Sequence, residues 1–248
     1  MVDIAVQLYT VRSVDEPLPE LLDRVGAAGF DGVEFAYRVR DAPTADVLAA
    51  LDRNELAVAS AHVPIESLED DYEATLEFYD ALGADTLVVP WLDPEEVESE
   101  AAVDAAADRL NALVDRHAAT GSSVRLAYHN HDQEFQTVDG APAMERLLAR
   151  TDDRLGFEID VGWAQVGGAD PVALIDRYAG RITHVHVADV DVDRGESVAL
   201  GDGDVDLDAV VASARRADAE WLVYEHDDPK DPVESIERGA RKLREALR

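Results

Sequence analysis

Cysteine is absent from the 248 residues, which excludes disulfides, thiolate nucleophiles and zinc–thiolate sites. Lysine occurs only at Lys230 and Lys242, and Lys plus Arg total 22 against 54 Asp plus Glu. The formal charge of −32 disfavours a phosphate backbone or an anionic membrane surface as partner. The acidic residues are spread along every segment rather than gathered in one patch. The excess therefore reads as a halophilic surface, with charge serving solubility at high salt. No run approaches the length of a membrane span. The start MVDIAVQLYTVRS also lacks a basic leader and a small-residue cleavage site, so a cytoplasmic protein without a membrane partner is expected.

What is present is one pattern repeated eight times: a short strand-like run, a loop, then a helical pattern. The predicted strands are Ile4–Tyr9, Gly32–Ala36, Ala57–His62, Thr86–Pro90, Val124–Asn130, Leu155–Asp160, Ile182–Val187 and Trp221–His226. Amphipathic segments fall near 17–28, 43–54, 68–82, 98–120, 139–150, 170–178, 206–217 and 232–247, and several have a proline at or near the first turn, as helix starts allow. Strict alternation implies a parallel sheet, and eight units in this length match an α/β (β/α)8 TIM barrel in a single domain, 1–248. An open doubly wound sheet is the alternative, weakened by the lack of a Gly-x-Gly-x-x-Gly turn after the first strand.

Within the strands one alternate set is apolar: Ile4/Val6/Leu8, Val33/Phe35, Leu87/Val89, Leu126/Tyr128, Leu155/Phe157/Ile159, Val185/Val187 and Leu222/Tyr224. The other set is polar towards the strand C-termini: Gln7, Glu34, Ser60/His62, His129/His131, Glu158/Asp160, His184/His186 and Glu225/Asp227. Polar groups facing inward at strand C-termini are where barrel active sites sit. Imidazoles and carboxylates without sulfur suit one divalent metal such as Mn, Co, Fe, Zn or Mg. An acidic cluster without a cation would also repel itself.

These segments together resemble the sugar phosphate isomerase/epimerase family of xylose isomerase-like TIM barrels. The resemblance runs from QLYTVR through GVEFA, SAHVP, YHNHDQEF, GFEIDVGWA, THVHVAD and LGDGDVD to VYEHDDP. It implies metal ligands at His129, Asp160, His186 and Glu225. His129 stands where the family commonly has glutamate, and Trp163 where many members have histidine; both departures are similar to an inosose dehydratase-like branch. The same resemblance implies Glu225 as catalytic base and metal ligand together, with His131 or Glu158 as its partner. It places Glu34, His62 and Trp163 towards the substrate, although a structural role for Glu34 and His62 stays open.

The implied reaction is isomerisation or epimerisation of a small sugar or sugar phosphate, by proton abstraction next to a carbonyl through a metal-bound enediolate. An inosose dehydratase-like lyase acting on a keto-inositol or keto-sugar shares that first step. A non-catalytic carbohydrate-binding barrel is the further alternative. The expected partner is a sugar or cyclitol rather than nucleic acid, with a homo-oligomer left open. His184 reads as a core or supporting histidine, and Arg12 and Trp91 carry no assigned role. The run Asp189–Glu196 fails the EF-hand pattern, because glycine comes at loop position seven and Leu200 at twelve.

Overall fold

In a computed structural model that describes residues 2–36 and 38–248, parallel strands close into a barrel. They are β1 (Asp3–Gln7), β2 (Gly32–Phe35), β3 (Ala57–His62), β4 (Thr86–Val89), β5 (Arg125–His129), β6 (Leu155–Asp160), β7 (Ile182–Val187) and β8 (Trp221–Tyr224). Each lies beside its neighbours in the sequence, and β1 closes on β8 in register from Asp3–Trp221 to Val6–Tyr224. This is the (β/α)8 architecture that the alternation predicts.

The prolines mark helix starts as expected. Pro17, Pro43 and Pro142 stand at N-caps, while Pro171 and Pro232 open their helices behind Asp170 and Asp231. Those two carboxylates accept the backbone N–H groups of the next turn, satisfying donors that a helix start leaves unpaired. The segment predicted as one helix over 68–82 is two, Ile65–Asp70 and Tyr72–Ala81. The break is at Asp71, which leaves helical geometry to cap the second helix through Ala74 N. A short helix, Val161–Val166, and the hairpin Asp189–Asp191/Glu196–Val198 lack a strong periodic signal and were not anticipated.

The core lies between strands and helices. The apolar strand set packs there, with Val33, Phe35, Leu87, Tyr128, Phe157, Ile159, Val185, Leu222 and Tyr224 fully buried. Truncating a ring such as Phe157 to alanine costs about 3–5 kcal/mol at positions of this kind. A separate small cluster, Ala5, Ala59 and Val223 against Trp221, is also buried.

Two bulges shape the polar lining above it. Val33 pairs with Val58 but Glu34 with Ser60, so Ala59 is the extra residue in β3. Phe157 pairs with Ile182 but Glu158 with His184, leaving Thr183 extra in β7. Such insertions re-aim the side chains that follow them. His184 links the two bulges. Its Nε2 donates to the Ala59 carbonyl at 2.9 Å and its Nδ1 accepts from Thr183 Oγ1 at 2.8 Å. His184 is thus a fully buried structural histidine, as the sequence suggests.

Candidate metal centre

The inward polar set converges at the C-terminal ends of the strands in two tiers that share two histidines. The inner tier contains Glu34, His62, His129, Glu158 and His186. Glu158 Oε2 accepts from His62 Nε2 at 2.7 Å and from His129 Nδ1 at 3.0 Å. Glu34 Oε2 accepts from His186 Nε2 at 2.6 Å and Gln7 Nε2 at 2.5 Å, while Ser60 Oγ donates to its Oε1 at 2.5 Å. His62 and His186 stack with ring centroids 5.3 Å apart and an 11° tilt.

The outer tier joins the other side of the shared imidazoles to Asp160 and Glu225. His186 Nδ1 lies 3.1 Å from Glu225 Oε2 and 4.0 Å from Asp160 Oδ2. His129 engages Glu158 through Nδ1, which leaves its Nε2 as the ring nitrogen with a lone pair. One candidate ligand atom from each of His129, Asp160, His186 and Glu225 lies within 4.8 Å of the others. The inner residues His62, His129, Glu158 and His186 meet the same criterion.

Charge compensation, more than spacing, separates the two groups. Ligands about 2.1 Å from one ion stand roughly 3.0–3.5 Å apart. His129 and His186 stand 3.0 and 3.2 Å from Glu158 Oε2, as well spaced as His186 and Glu225 at 3.1 Å, but His62 meets the same oxygen at 2.7 Å, a hydrogen-bond length with a proton between the atoms. Glu158 Oε1 in the inner group and Asp160 Oδ2 in the outer are both buried without a hydrogen bond, but the imidazoles around Glu158 already compensate its charge and nothing does so fully for Asp160. Burial drives the Asp160 carboxyl well above its ordinary pKa, and Glu225 and Asp227 add to the rise. A cation beside that oxygen removes the penalty, so a divalent ion fits the outer residues.

The remaining titrations follow from the same crowding. Burial and the neighbouring His186 bring His129 down to about 4, which keeps it neutral. Burial opposes charge on His186, yet the Glu158 and Glu34 carboxylates raise it well above the usual imidazole value. Burial also opposes charge on Glu158 and Glu225, but imidazoles hold both below the ordinary glutamate range. Glu34 is pushed up by burial and by Glu158.

Each residue expected from the sequence has a definite place. His129, Asp160, His186 and Glu225 come together. Glu158 and Glu34 are fully buried beneath the imidazoles, not at the mouth. His62 is nearly buried beside them, also within 3.2 Å of Glu34 Oε2. β5 ends at His129, one residue sooner than predicted, yet the His129 and His131 rings remain 4.9 Å apart. Asn130 keeps the chain in line after the strand. Its side chain bonds the Asp160 carbonyl at 3.2 Å and accepts from the Asp160 N–H at 3.1 Å, copying a pair of ladder bonds.

His131 packs edge-on against Trp91 at 4.5 Å and lies 6.4 Å from Trp163, with Nδ1 buried and unpaired. Burial lowers its pKa well below the ordinary value, aided by the histidines around it. Arg12 instead caps the Tyr9 ring at 3.9 Å. Asp189 is not a ligand. It gathers the LGDG loop by accepting from the N–H groups of Val190, Gly201, Gly203 and Val205. A side chain at Gly203 would collide with that carboxylate and with the Val190 carbonyl, so the loop needs glycine there.

Two further acids have no role in the sequence reading. Asp227 has an unpaired Oδ2, and burial plus Glu225 raise it to about 7. The period-two pattern had placed it on the inner face. Glu134, in the turn after β5, accepts from Tyr128 OH at 2.5 Å and from His131 N at 2.8 Å, and burial raises it to about 7. Only the tertiary packing of its turn reveals it. A cavity of about 790 Å³ opens beside the site between the Asp189–Val198 hairpin and the loop after β8. Trp163 and Asp227 line it, but none of the outer-tier residues does.

A family model described as the xylose isomerase-like TIM barrel matches residues 22–246. The inosose dehydratase of Clostridium beijerinckii is 28% identical over 194 residues, covering 69% of this chain and 63% of its own length. The rhizopine catabolism protein MocC of Rhizobium meliloti is 30% identical over 201 residues, covering 71% of this chain and 58% of its own. The matched region thus spans about three fifths of the length of these curated relatives. A solved structure of a sugar phosphate isomerase/epimerase from Parabacteroides distasonis shares the fold, with a TM-score of 0.82. It covers 99% of this chain and 95% of that one at 22% identity.

Proposed function

The chain belongs to the xylose isomerase-like TIM barrel family, and from that premise we propose that it is a sugar or sugar phosphate isomerase or epimerase. The observation that carries this reading is the outer tier, where buried, unpaired Asp160 Oδ2 stands with His129, His186 and Glu225 in a polar barrel mouth. These four residues would hold one divalent ion. Such an ion supplies Lewis-acid polarisation of a substrate carbonyl and stabilises negative charge developing on its oxygen.

The protein's own groups do the proton work. In the metal-free site His186 Nδ1 hydrogen-bonds Glu225 and holds it ionised in spite of burial; an ion on that nitrogen would take over the role, leaving Glu225 ready to accept a proton from the carbon beside a carbonyl. His131, neutral and with its Nδ1 unpaired, is suited to receive a hydroxyl hydrogen bond or exchange a proton across the site. Trp91 and Trp163 beside it give an apolar wall against which the carbon face of a sugar or cyclitol can lie. Glu34, Glu158 and His62 act beneath the mouth, on the imidazoles, rather than on substrate.

A dehydratase reading shares proton removal and differs afterwards, when a β-hydroxyl leaves in place of reprotonation. The names of the inosose dehydratase relatives favour it as the second reading. Incubation with manganese, small ketoses and keto-inositols in D2O, followed by NMR, tests the proposal. Deuterium entering the carbon beside the carbonyl, with a rearranged or epimerised product, supports it. A new enone absorbance instead supports the lyase. Neither signal across the panel, with ligand still bound, would assign a non-catalytic binder.

A further inference from the structure

We infer that Glu34 and Glu158 are positioning residues that turn His186 and His129 towards the ion by holding a proton on the inner nitrogen of each ring. This rests on the metal reading above and deepens it. The two imidazoles are braced in opposite senses. His186 presents Nε2 to Glu34 at 2.6 Å, so its Nδ1 faces Glu225 and Asp160. His129 presents Nδ1 to Glu158 at 3.0 Å, so its Nε2 keeps the lone pair. A ring nitrogen that donates to a carboxylate fixes the tautomer, leaving a lone pair on the other nitrogen for metal.

The braces are themselves fixed. Glu34 is held from below by Gln7 and from the side by Ser60, and like Glu158 it is fully buried. His62 Nε2 lies 2.7 Å from Glu158 Oε2 and 3.2 Å from Glu34 Oε2, and His186 Nε2 lies 3.2 and 2.6 Å from the same two oxygens, so both imidazoles tie the glutamates together. His62 therefore belongs to the support beneath the ligands, although it also meets the spacing criterion of the inner group. An amide at position 34 offers one oxygen to donors that now share two. At 158 the imidazoles all meet Oε2, so an amide there keeps an acceptor but loses the negative charge that holds their protons. Either change loosens a ligand ring while leaving every ligand in place.

The test uses the full chain, stripped of metal by chelation and titrated with Co(II). Calorimetry reads affinity, the visible ligand-field bands read geometry, and circular dichroism of the metal-free protein reads folding. Glu34→Gln and Glu158→Gln are each expected to weaken Co(II) binding about 10–100-fold and to shift the bands. Ser60→Ala keeps the Glu34 carboxylate but loosens it, and is expected to weaken binding a few-fold. It carries the test if the glutamine variants do not fold.

Folded glutamine variants that bind Co(II) within twofold of wild type with unchanged bands would overturn the inference. So would an unchanged Ser60→Ala where the glutamine variants fail to fold. Loss of all binding in Glu158→Gln with full binding in Asp160→Asn would also overturn it, because the ion would then sit in the inner group. A wild-type chain that takes up no Co(II) contradicts instead the metal reading on which the inference stands.

Discussion

Carboxylates on the outer helices and carboxylates inside the barrel mouth are the same chemical group in opposite surroundings. Asp104, on the helix Glu100–Thr120, meets both Arg146 and Arg150 through paired hydrogen bonds, which hold its pKa well below the usual range. Asp160 sits in the interior with one oxygen unpaired, and burial drives its pKa the other way. The ion pairs of Glu34, Glu158 and Glu225 are with histidines. An outer carboxylate surrounded by arginine and water is stable as an anion. An inner one needs imidazole, a proton or a metal, and that need makes it useful for chemistry.

Neutralising the interior should have the largest effect. Glu225→Gln removes the proposed base and one ligand, and turnover or deuterium wash-in is expected to fall about a thousandfold, within the range for a positioned proton-transfer group. A loss under tenfold contradicts the role. His131→Phe keeps an aromatic ring between Trp91 and Trp163 but removes the unpaired nitrogen. Turnover is expected to fall about a hundredfold. Near-normal turnover would reduce His131 to wall packing.

The buried glutamate outside the ligand set sharpens the contrast through pH. Glu134 titrates near 7 when folded against an ordinary value of 4.5. The folded state therefore holds its proton more tightly than the unfolded chain does. The stability this provides is fully present below about pH 4.5 and is lost as pH rises through 7. At about 1.4 kcal/mol per pKa unit, wild type should lose roughly 3 kcal/mol relative to Glu134→Gln between pH 4.5 and 7.5. Urea unfolding of both metal-free proteins across that range measures the difference, and parallel curves would contradict it. The smallest effect belongs outside. Asp104→Asn should shift Tm by no more than about 2 °C, and less in concentrated salt, because exposed ion pairs are screened.

How much of this was readable beforehand depended on whether the signal was local. Strands Ala57–His62, Leu155–Asp160 and Ile182–Val187 were predicted to the residue, because apolar and polar faces alternate and turn signals flank them. The inward histidines and acids were legible for the same reason. Their tiers were not. Glu158 and Asp160 are two residues apart on one face, yet Glu158 lies under the imidazoles and Asp160 opens on the outer tier. Alternation gives a side chain's face but not its depth in a tilted, bulged barrel. Glu134 escaped because its significance comes from Tyr128 and the His131 backbone closing over a turn. No spacing rule encodes that closure.

The central claim is that the outer tier, and not the inner one, holds a divalent ion. Equilibrium dialysis of the chelator-stripped chain against manganese, followed by elemental analysis, tests it most directly when wild type and Asp160→Asn are compared. One equivalent of metal per chain in wild type, lost in a folded Asp160→Asn, is the predicted result. No bound metal in wild type, or a full equivalent retained by the variant, would contradict it.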